Sequence, residues 1–441
     1  MLHDSGAITP PLTPTKTSHS KSSSASSLGS LSSLRRGDST VSTGRLSIDE
    51  SECPGSTALR EFKYWISEYE IPDKKKPIGS GLWSDVYLAH PSIPKPSANP
   101  SSSPPSSRSS LEFGMGMGDS VLTPPLTPTR ARNSSLSKRS QLLTLPSAYA
   151  IKVPASRSAK AVLTAEAHIL SYLSRFPFSS SHIITFYGQD TRNSALVLKA
   201  MDTTLESWIT HSLNTLSESA RSKKIGDVFP RLAIELLNGL QWMHDAGVVH
   251  ADIKPSNILL CLPSSASSSS SSIASPIAVY SDFSSALLSP TTSTPNPPID
   301  TLNKPSAPLG GGTWDFLDPT LLLKPSPTSP SSPSPSPNSA SDLWALSLTL
   351  LTLILGSSPF DCAGSNVFRR RELVKQGCPM VWVGYGDEGL RNLGRLKGVG
   401  WDVGAWFEKV LVKEVERRSG VGEWREALER AVDGRGGGAR M

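Results

Sequence analysis

His250-Ala251-Asp252-Ile253-Lys254-Pro255-Ser256-Asn257-Ile258-Leu259-Leu260 places a carboxylate, an amine and a carboxamide at intervals of two and three residues. The stretch then closes on an apolar run. It follows residues 226–246, whose apolar positions recur at helical spacing and end in Gln241-Trp242-Met243-His244. Upstream, Tyr149-Ala150-Ile151-Lys152-Val153 reads as a strand with a lysine inside it. A lysine among apolar neighbours is costly unless it meets an anion, the alternative being an edge strand that turns it to solvent. Residues 157–175 read as a helix striped by Val162, Leu163, Ala167, Leu170 and Leu173, and Glu166 lies among them as a candidate anion. Glu61, Glu68 and Glu70 compete for that part.

Further out, Ile78-Gly79-Ser80-Gly81-Leu82-Trp83-Ser84-Asp85-Val86 is a glycine turn between strand-like runs. Glycines let backbone N–H groups approach phosphate oxygens, although such a turn alone is a common hairpin. Downstream come Val279-Tyr280-Ser281-Asp282-Phe283-Ser284, then Gly312-Thr313-Trp314-Asp315-Phe316-Leu317-Asp318-Pro319, then the helix Ser341-Asp342-Leu343-Trp344-Ala345-Leu346. An aspartate on so apolar a helix demands a partner.

Taken in chain order, these elements resemble those of eukaryotic-type protein kinases, with Asp252, Lys254 and Asn257 at the spacing of the serine/threonine branch. The resemblance spans residues 72–430. It implies an α+β fold of two lobes: a small antiparallel β-sheet with one helix, and a larger, mainly helical part. It implies ATP and Mg²⁺ as cofactors, with Lys152 held by Glu166, Asp252 at the substrate hydroxyl and Lys254 near the moving phosphoryl group. Asn257 and Asp282 become metal ligands. Ile78, Gly79, Ser80, Gly81, Val86 and Ala150 join Lys152 around the nucleotide, and the backbone of Lys199 and Met201 in a hinge, Leu198–Asp202, meets adenine. Asp342 is expected to bond backbone of the catalytic loop. The implied activity is transfer of the γ-phosphate to protein serine or threonine, the alternative being a weak or inactive kinase-like scaffold that binds nucleotide and partners.

Four positions depart from the family pattern. Ser84 replaces a loop glycine, Ala251 the arginine before Asp252, Ser284 the glycine after Phe283, and Thr320 a glutamate. Thr320 cannot bridge to an arginine, so Arg417 or Arg418 is expected to lack its usual partner.

Composition confines the folded part. Of 441 residues, 76 are Ser and 37 Pro, while only 37% are hydrophobic. Such stretches cannot bury enough apolar surface to offset their ordering entropy. Residues 1–71 therefore read as a disordered tail, 90–145, 262–273, 287–311 and 325–340 as insertions, and 431–441 as a Gly/Arg-rich tail. The sequence TPPLTPT occurs at 9–15 and 123–129. Either it is a chance duplication, or the Thr-Pro and Ser-Pro steps at Thr9, Thr13, Thr123, Thr127, Ser289 and Thr294 present a proline-directed kinase with sites.

A net charge of +6 without a long basic run argues against a nucleic-acid partner. Leu343–Leu355 is too short an apolar run to cross a bilayer and suits a core helix. Four scattered cysteines and eight scattered histidines give neither a disulfide framework nor zinc-ligand spacing. With no signal peptide read at the N-terminus, the expected compartment is cytoplasmic or nuclear. Phe368-Arg369-Arg370-Arg371 reads as a solvated helix start, and Trp401, Trp406 and Trp424 as core.

Overall fold

A computed structural model describes residues 56, 58–64, 67–92, 146–263, 275–288, 314–322 and 336–437. Both TPPLTPT copies and all six Thr-Pro and Ser-Pro steps named above lie outside the described residues.

The first lobe is a curled antiparallel sheet. Its strands are β1 (Glu68–Glu70), β2 (Gly79–Ser80), β3 (Ser84–Ser92), β4 (Tyr149–Pro154), β5 (Phe186–Asp190) and β6 (Ala195–Lys199). They lie in the order β1-β3-β4-β6-β5, with β2 hydrogen-bonded to β3. Helices α1 (Ala159–Leu173) and α2 (Ser179–His182) come between β4 and β5. Side chains alternate along β4. Tyr149 and Ile151 enter a small core with Phe62, Ala89, Ala195 and Val197, which leaves Ala150 and Lys152 on the opposite face. That face meets α1, whose Ala167, Leu170 and Leu173 pack with Leu196 and Leu198.

The second lobe begins with β7 (Thr203–Thr204) and α3 (Leu205–Trp208), continued by a π-helical turn at Ile209–Leu213. Helix α4 (Glu218–Asp245), β8 (Val248–Val249), β9 (Ile258–Cys261), β10 (Ile277–Tyr280) and β11 (Leu287–Leu288) follow. Strands β10, β9 and β7 form one small sheet, and β11 pairs with β8. The rest is helical: α5 (Ser339–Leu355), α6 (Val367–Gln376), α7 (Pro379–Val383), α8 (Gly389–Gly398), α9 (Val403–Glu408) and α10 (Val421–Gly437).

Helix α5 is the core helix expected from its apolar run. Every residue from Ser341 to Leu355 is buried. Its hydroxyls are satisfied locally: Ser347, Thr349 and Thr352 donate to the carbonyls four residues back at 2.7–2.8 Å. Its last carbonyls need donors, since a helix end cannot bond them itself. Arg221 donates to Ile354 O at 2.6 Å and to Leu353 O at 2.9 Å, and Arg395 donates to Leu355 O. Burial pulls the Arg221 guanidinium down to about 10. Trp406 and Trp424 stack at 3.9 Å, each indole N–H donating to the other's carbonyl. Those tryptophans are core, as expected.

Several boundaries move. Residues 58–64 and 67–71, assigned above to the tail, are part of the first lobe: Phe62 is buried, and β1 pairs with the end of β3. Strand β3 runs to Ser92, β11 uses Leu287 and Leu288, and α10 continues to Gly437. Helix α9 stops at Glu408, and Val410 and Leu411 beyond it are buried by an irregular turn rather than by a helical stripe. The apolar residues before β5 do not join it: Ile183 bridges to Tyr280 of the second lobe. The basic run is not uniformly solvated. Arg370 is bound by Asp315 and Asp361, and Arg371 lies 4.3 Å over the Trp314 ring. Among the described residues no helix is long and apolar enough to cross a membrane.

Candidate active site

Strand register builds one wall of the site. Gly79 pairs with Val86, Val86 with Lys152 and Lys152 with Leu196, so glycine hairpin, valine and lysine share a row across the sheet. Ile78 N–H donates to Val86 O at 2.7 Å and Gly81 N–H to Ser84 O at 2.8 Å, which closes the hairpin. Ala150 sits opposite Leu198 in the same sheet. Lys199 lies opposite Tyr149 at the end of β6, and Met201 follows in the connection to β7. The neighbouring amides are tied: Ala200 N–H to Ala148 O and Asp202 N–H to Leu260 O. Lys199 and Met201 also line a cavity of about 360 Å³ with Arg231, Glu235 and Val279, which Lys152, Asp252 and Asp282 do not touch. The Lys199 N–H is itself taken by Thr185 O at 3.0 Å.

Lys152 meets its anion. Its Nζ donates to both oxygens of Glu166, at 2.8 and 2.7 Å, and to Asp282 Oδ1 at 2.8 Å. The side chains of Lys152 and Glu166 are 8% and 1% exposed, and that of Asp282 is 37% exposed. Burial opposes the lysine's charge, yet attraction to Glu166 and Asp282 holds it above the ordinary lysine range. Burial also raises the Glu166 carboxyl in spite of Lys152. For Asp282 burial acts in the same direction, but the ammonium outweighs it and holds this carboxyl well below the usual range. The competing acids are elsewhere: Glu68 pairs with Arg192, and Glu61 bridges to Gln189.

The loop after β8 forms the other wall. Lys254 Nζ donates to Asp252 Oδ2 at 2.8 Å, and Asn257 Nδ2 donates to Asp252 O and Oδ2 at 2.8 and 2.9 Å. Both partners of that amide nitrogen only accept, so the Asn257 carboxamide must present its oxygen on the other side. Asp342 holds the loop as expected. Its Oδ2 accepts from His250 N–H at 2.7 Å and its Oδ1 from Ala251 N–H at 2.8 Å. His244 Nε2 adds a contact at 3.1 Å. Ala251 has φ 63° and Asp282 φ 60°, left-handed conformations that cost about 1 kcal/mol or more for a residue with Cβ. The two bonds to Asp342 offset that strain at Ala251.

Three contacts escaped the sequence reading. His250 Nε2 donates to Ser281 O at 3.0 Å while Nδ1 accepts from Asp252 N–H at 3.3 Å, so one ring ties the loop after β8 to the turn that carries Asp282. Phe283 N–H donates to Glu166 Oε1 at 3.3 Å. Arg418, expected to lack its partner, has one: its guanidinium binds both oxygens of Asp318, two residues before Thr320, and lies 4.6 Å over the Trp344 ring. Thr320 instead donates its backbone N–H and hydroxyl to Asp318 Oδ1, at 2.9 and 2.7 Å. A nearby complementary charge was the signal available for this pair.

Order, register and contacts thus coincide with a known pattern over most of the folded chain, and the model of the protein kinase domain matches residues 145–385. The chain belongs to the protein kinase domain family. The match begins after the insertion that separates β3 from β4, so the glycine hairpin joins the kinase domain through register alone. Serine/threonine-protein kinase ppk21 of Schizosaccharomyces pombe is 28% identical over 139 residues, 31% of this chain and 20% of its own. Serine/threonine-protein kinase TOS3 of Saccharomyces cerevisiae is 30% identical over 139 residues, 31% of this chain and 21% of its own. The alignments therefore cover about a fifth of these curated relatives.

A protein kinase domain implies ATP and Mg²⁺. The donors here suit that ion. Mg²⁺ takes hard oxygen ligands, commonly one or two carboxylates completed by phosphates. The Asp282 carboxylate and the Asn257 amide oxygen are such donors, while no cluster of three or more His, Cys, Asp or Glu occurs among the described residues.

Proposed function

We propose that the chain is an ATP-dependent protein serine/threonine kinase. The observation that carries this reading is one ammonium, Lys152 Nζ, within 2.8 Å of carboxylates from two other elements, Glu166 and Asp282. The adenine is held at the backbone of Lys199 and Met201, with Val86 and Ala150 against it. The phosphates lie under Ile78, Gly79, Ser80 and Gly81, with Lys152 as their cation and Glu166 restraining it. Asp282 and the Asn257 oxygen hold Mg²⁺, which when bound neutralises charge on the phosphates.

Asp252 Oδ2 is engaged by Lys254 and Asn257, which leaves Oδ1 to accept a proton. The serine or threonine oxygen attacks the γ-phosphorus and forms a new P–O bond. The bond from that phosphorus to the oxygen it shares with ADP breaks, and the hydroxyl proton passes to Asp252. Lys254 stabilises charge on the moving group. Positioning and electrostatics supply most of the rate gain.

The scaffold reading has one observation on its side: Lys152 already neutralises the carboxylate that would receive a metal. Phosphoamino-acid analysis after incubation with γ-labelled ATP and Mg²⁺ separates the two. Label on serine and threonine is the expected result. Label on tyrosine would overturn the specificity, and nucleotide binding without label would favour the scaffold.

A further inference from the structure

The residues just before β1 fold onto the back of the two elements that carry Lys152 and Glu166. Arg175, past the end of α1, donates to Ser56 O at 2.9 Å and to Ala58 O at 2.5 Å. Arg60 N–H donates to Ser171 Oγ at 2.8 Å, and that hydroxyl donates to Ala167 O at 2.6 Å, one residue beyond Glu166. The segment then joins the outer edge of the sheet as a short parallel pairing of Glu61 with Gln189. Gln189 N–H donates to Arg60 O at 2.8 Å and Phe62 N–H to Gln189 O at 2.9 Å. Gln189 in turn reaches Thr164 on α1 at 3.3 Å. Phe62 is buried, with its ring 6.0 Å from that of Tyr149, three residues before Lys152 on β4.

Gly188 shows how close this approach is. It sits at a bulge of β5 with φ 138°, and a Cβ there would lie 2.5 Å from Phe62 N and 2.6 Å from the Glu61 carbonyl carbon. The backbone of the segment occupies the space that any other side chain would need.

We infer that residues 58–64 are a positioning strap, with Phe62 as its anchor, that fixes α1 against β4 and thereby sets the Lys152–Glu166 pair. The hydrogen bonds of Arg60 and Phe62 run to α1 and β5, so these residues act through the elements they bind. An ion pair whose partners sit on two separate elements is only as constrained as the distance between those elements. The strap bonds α1 at Ser171, meets β5 along its edge and packs on Tyr149 of β4. Lifting it frees α1 from the sheet and lets Glu166 leave Lys152. The inference rests on the nucleotide-binding reading of that pair.

The test uses the full chain with Phe62→Ala, Phe62→Leu and Gly188→Ala. Leu428→Ala, in the second-lobe core, serves as the control for general destabilisation. Three quantities are measured: amide exchange over residues 159–173, the Kd of a fluorescent ATP analogue with Mg²⁺, and Tm. Phe62→Ala and Gly188→Ala should raise α1 exchange and Kd about tenfold. Phe62→Leu should restore most of both, and Leu428→Ala should lower Tm without selective exchange in α1. If Phe62→Ala alters α1 exchange no more than Leu428→Ala does at equal loss of Tm, the strap has only a structural role. Exchange in α1 requires no phosphate transfer. A wild type without kinase activity but with strap-dependent exchange therefore refutes the activity and leaves the strap. An active wild type with unaltered exchange refutes the strap alone.

Discussion

In the cleft, Lys152, Glu166 and Asp282 come from β4, α1 and the turn after β10, and each stands where the kinase pattern puts it. In the second lobe, Asp318 and Arg418 form a pair still more buried, 1% and 2% exposed, although the acid stands two residues from the position the pattern assigns. The difference separates two kinds of requirement. A group that acts on a substrate must place particular atoms. A group that braces a lobe needs only opposite charge within reach and a satisfied hydrogen-bonding shell. Departures at Thr320 and Ala251 fall on the second kind: one is covered by Asp318, the other by the backbone bonds of Asp342.

Breaking the cleft should have the largest effect. Lys152→Met removes the ammonium between two carboxylates, and kcat/KM for phosphate transfer should fall by about 100- to 1,000-fold in a steady-state assay. The brace comes next. Arg418→Met leaves Asp318 buried without its cation and should cost about 3–5 kcal/mol in urea unfolding, with most of it returned by Asp318→Leu in the same chain. Asp318→Ala combined with Thr320→Glu sharpens the point: recovery of stability would show that the charge, not its position in sequence, is what matters.

Acid gives a smaller, signed effect. Lys152 holds the Asp282 carboxyl below its ordinary 3.8 in the folded chain. A depressed carboxyl contributes stability that is present above its unfolded pKa and lost as pH falls through the folded one. Stability should therefore decline below about pH 4, and Lys152→Met should flatten that decline in chemical unfolding followed from pH 5 downward. Smallest is Ala251→Gly, which relieves the left-handed backbone at φ 63° and should add about 1 kcal/mol, seen as a Tm rise of a few degrees.

The contrast also explains what the sequence made readable. Asp252, Lys254 and Asn257 are contiguous, and β4 and α1 carry clean strand and helix periods, so their residues could be placed before any coordinates. Asp342 could be placed because a buried aspartate on an apolar helix needs donors. The strap had no such mark. Leu59-Arg60-Glu61-Phe62-Lys63 has one large aromatic in a polar setting, and its partner strand lies more than a hundred residues later. The brace was hidden because its acid, Asp318, stands two residues before the position the family pattern assigns. The first turns of α4, from Glu218, were missed as well: they are polar, and their start is signalled only by Ser217, whose hydroxyl accepts from Ala220 N–H.

On the proposed function, the cleft transfers phosphate although the brace and the loop depart from the family pattern. Single-turnover transfer from γ-labelled ATP with Mg²⁺ tests it most directly, with wild type beside Asp252→Asn and the affinity for an ATP analogue measured on both. The prediction is transfer by wild type, a loss of about a thousandfold in Asp252→Asn, and unchanged affinity. Equal transfer by the two proteins, or none from a wild type that binds nucleotide and is folded, would contradict it.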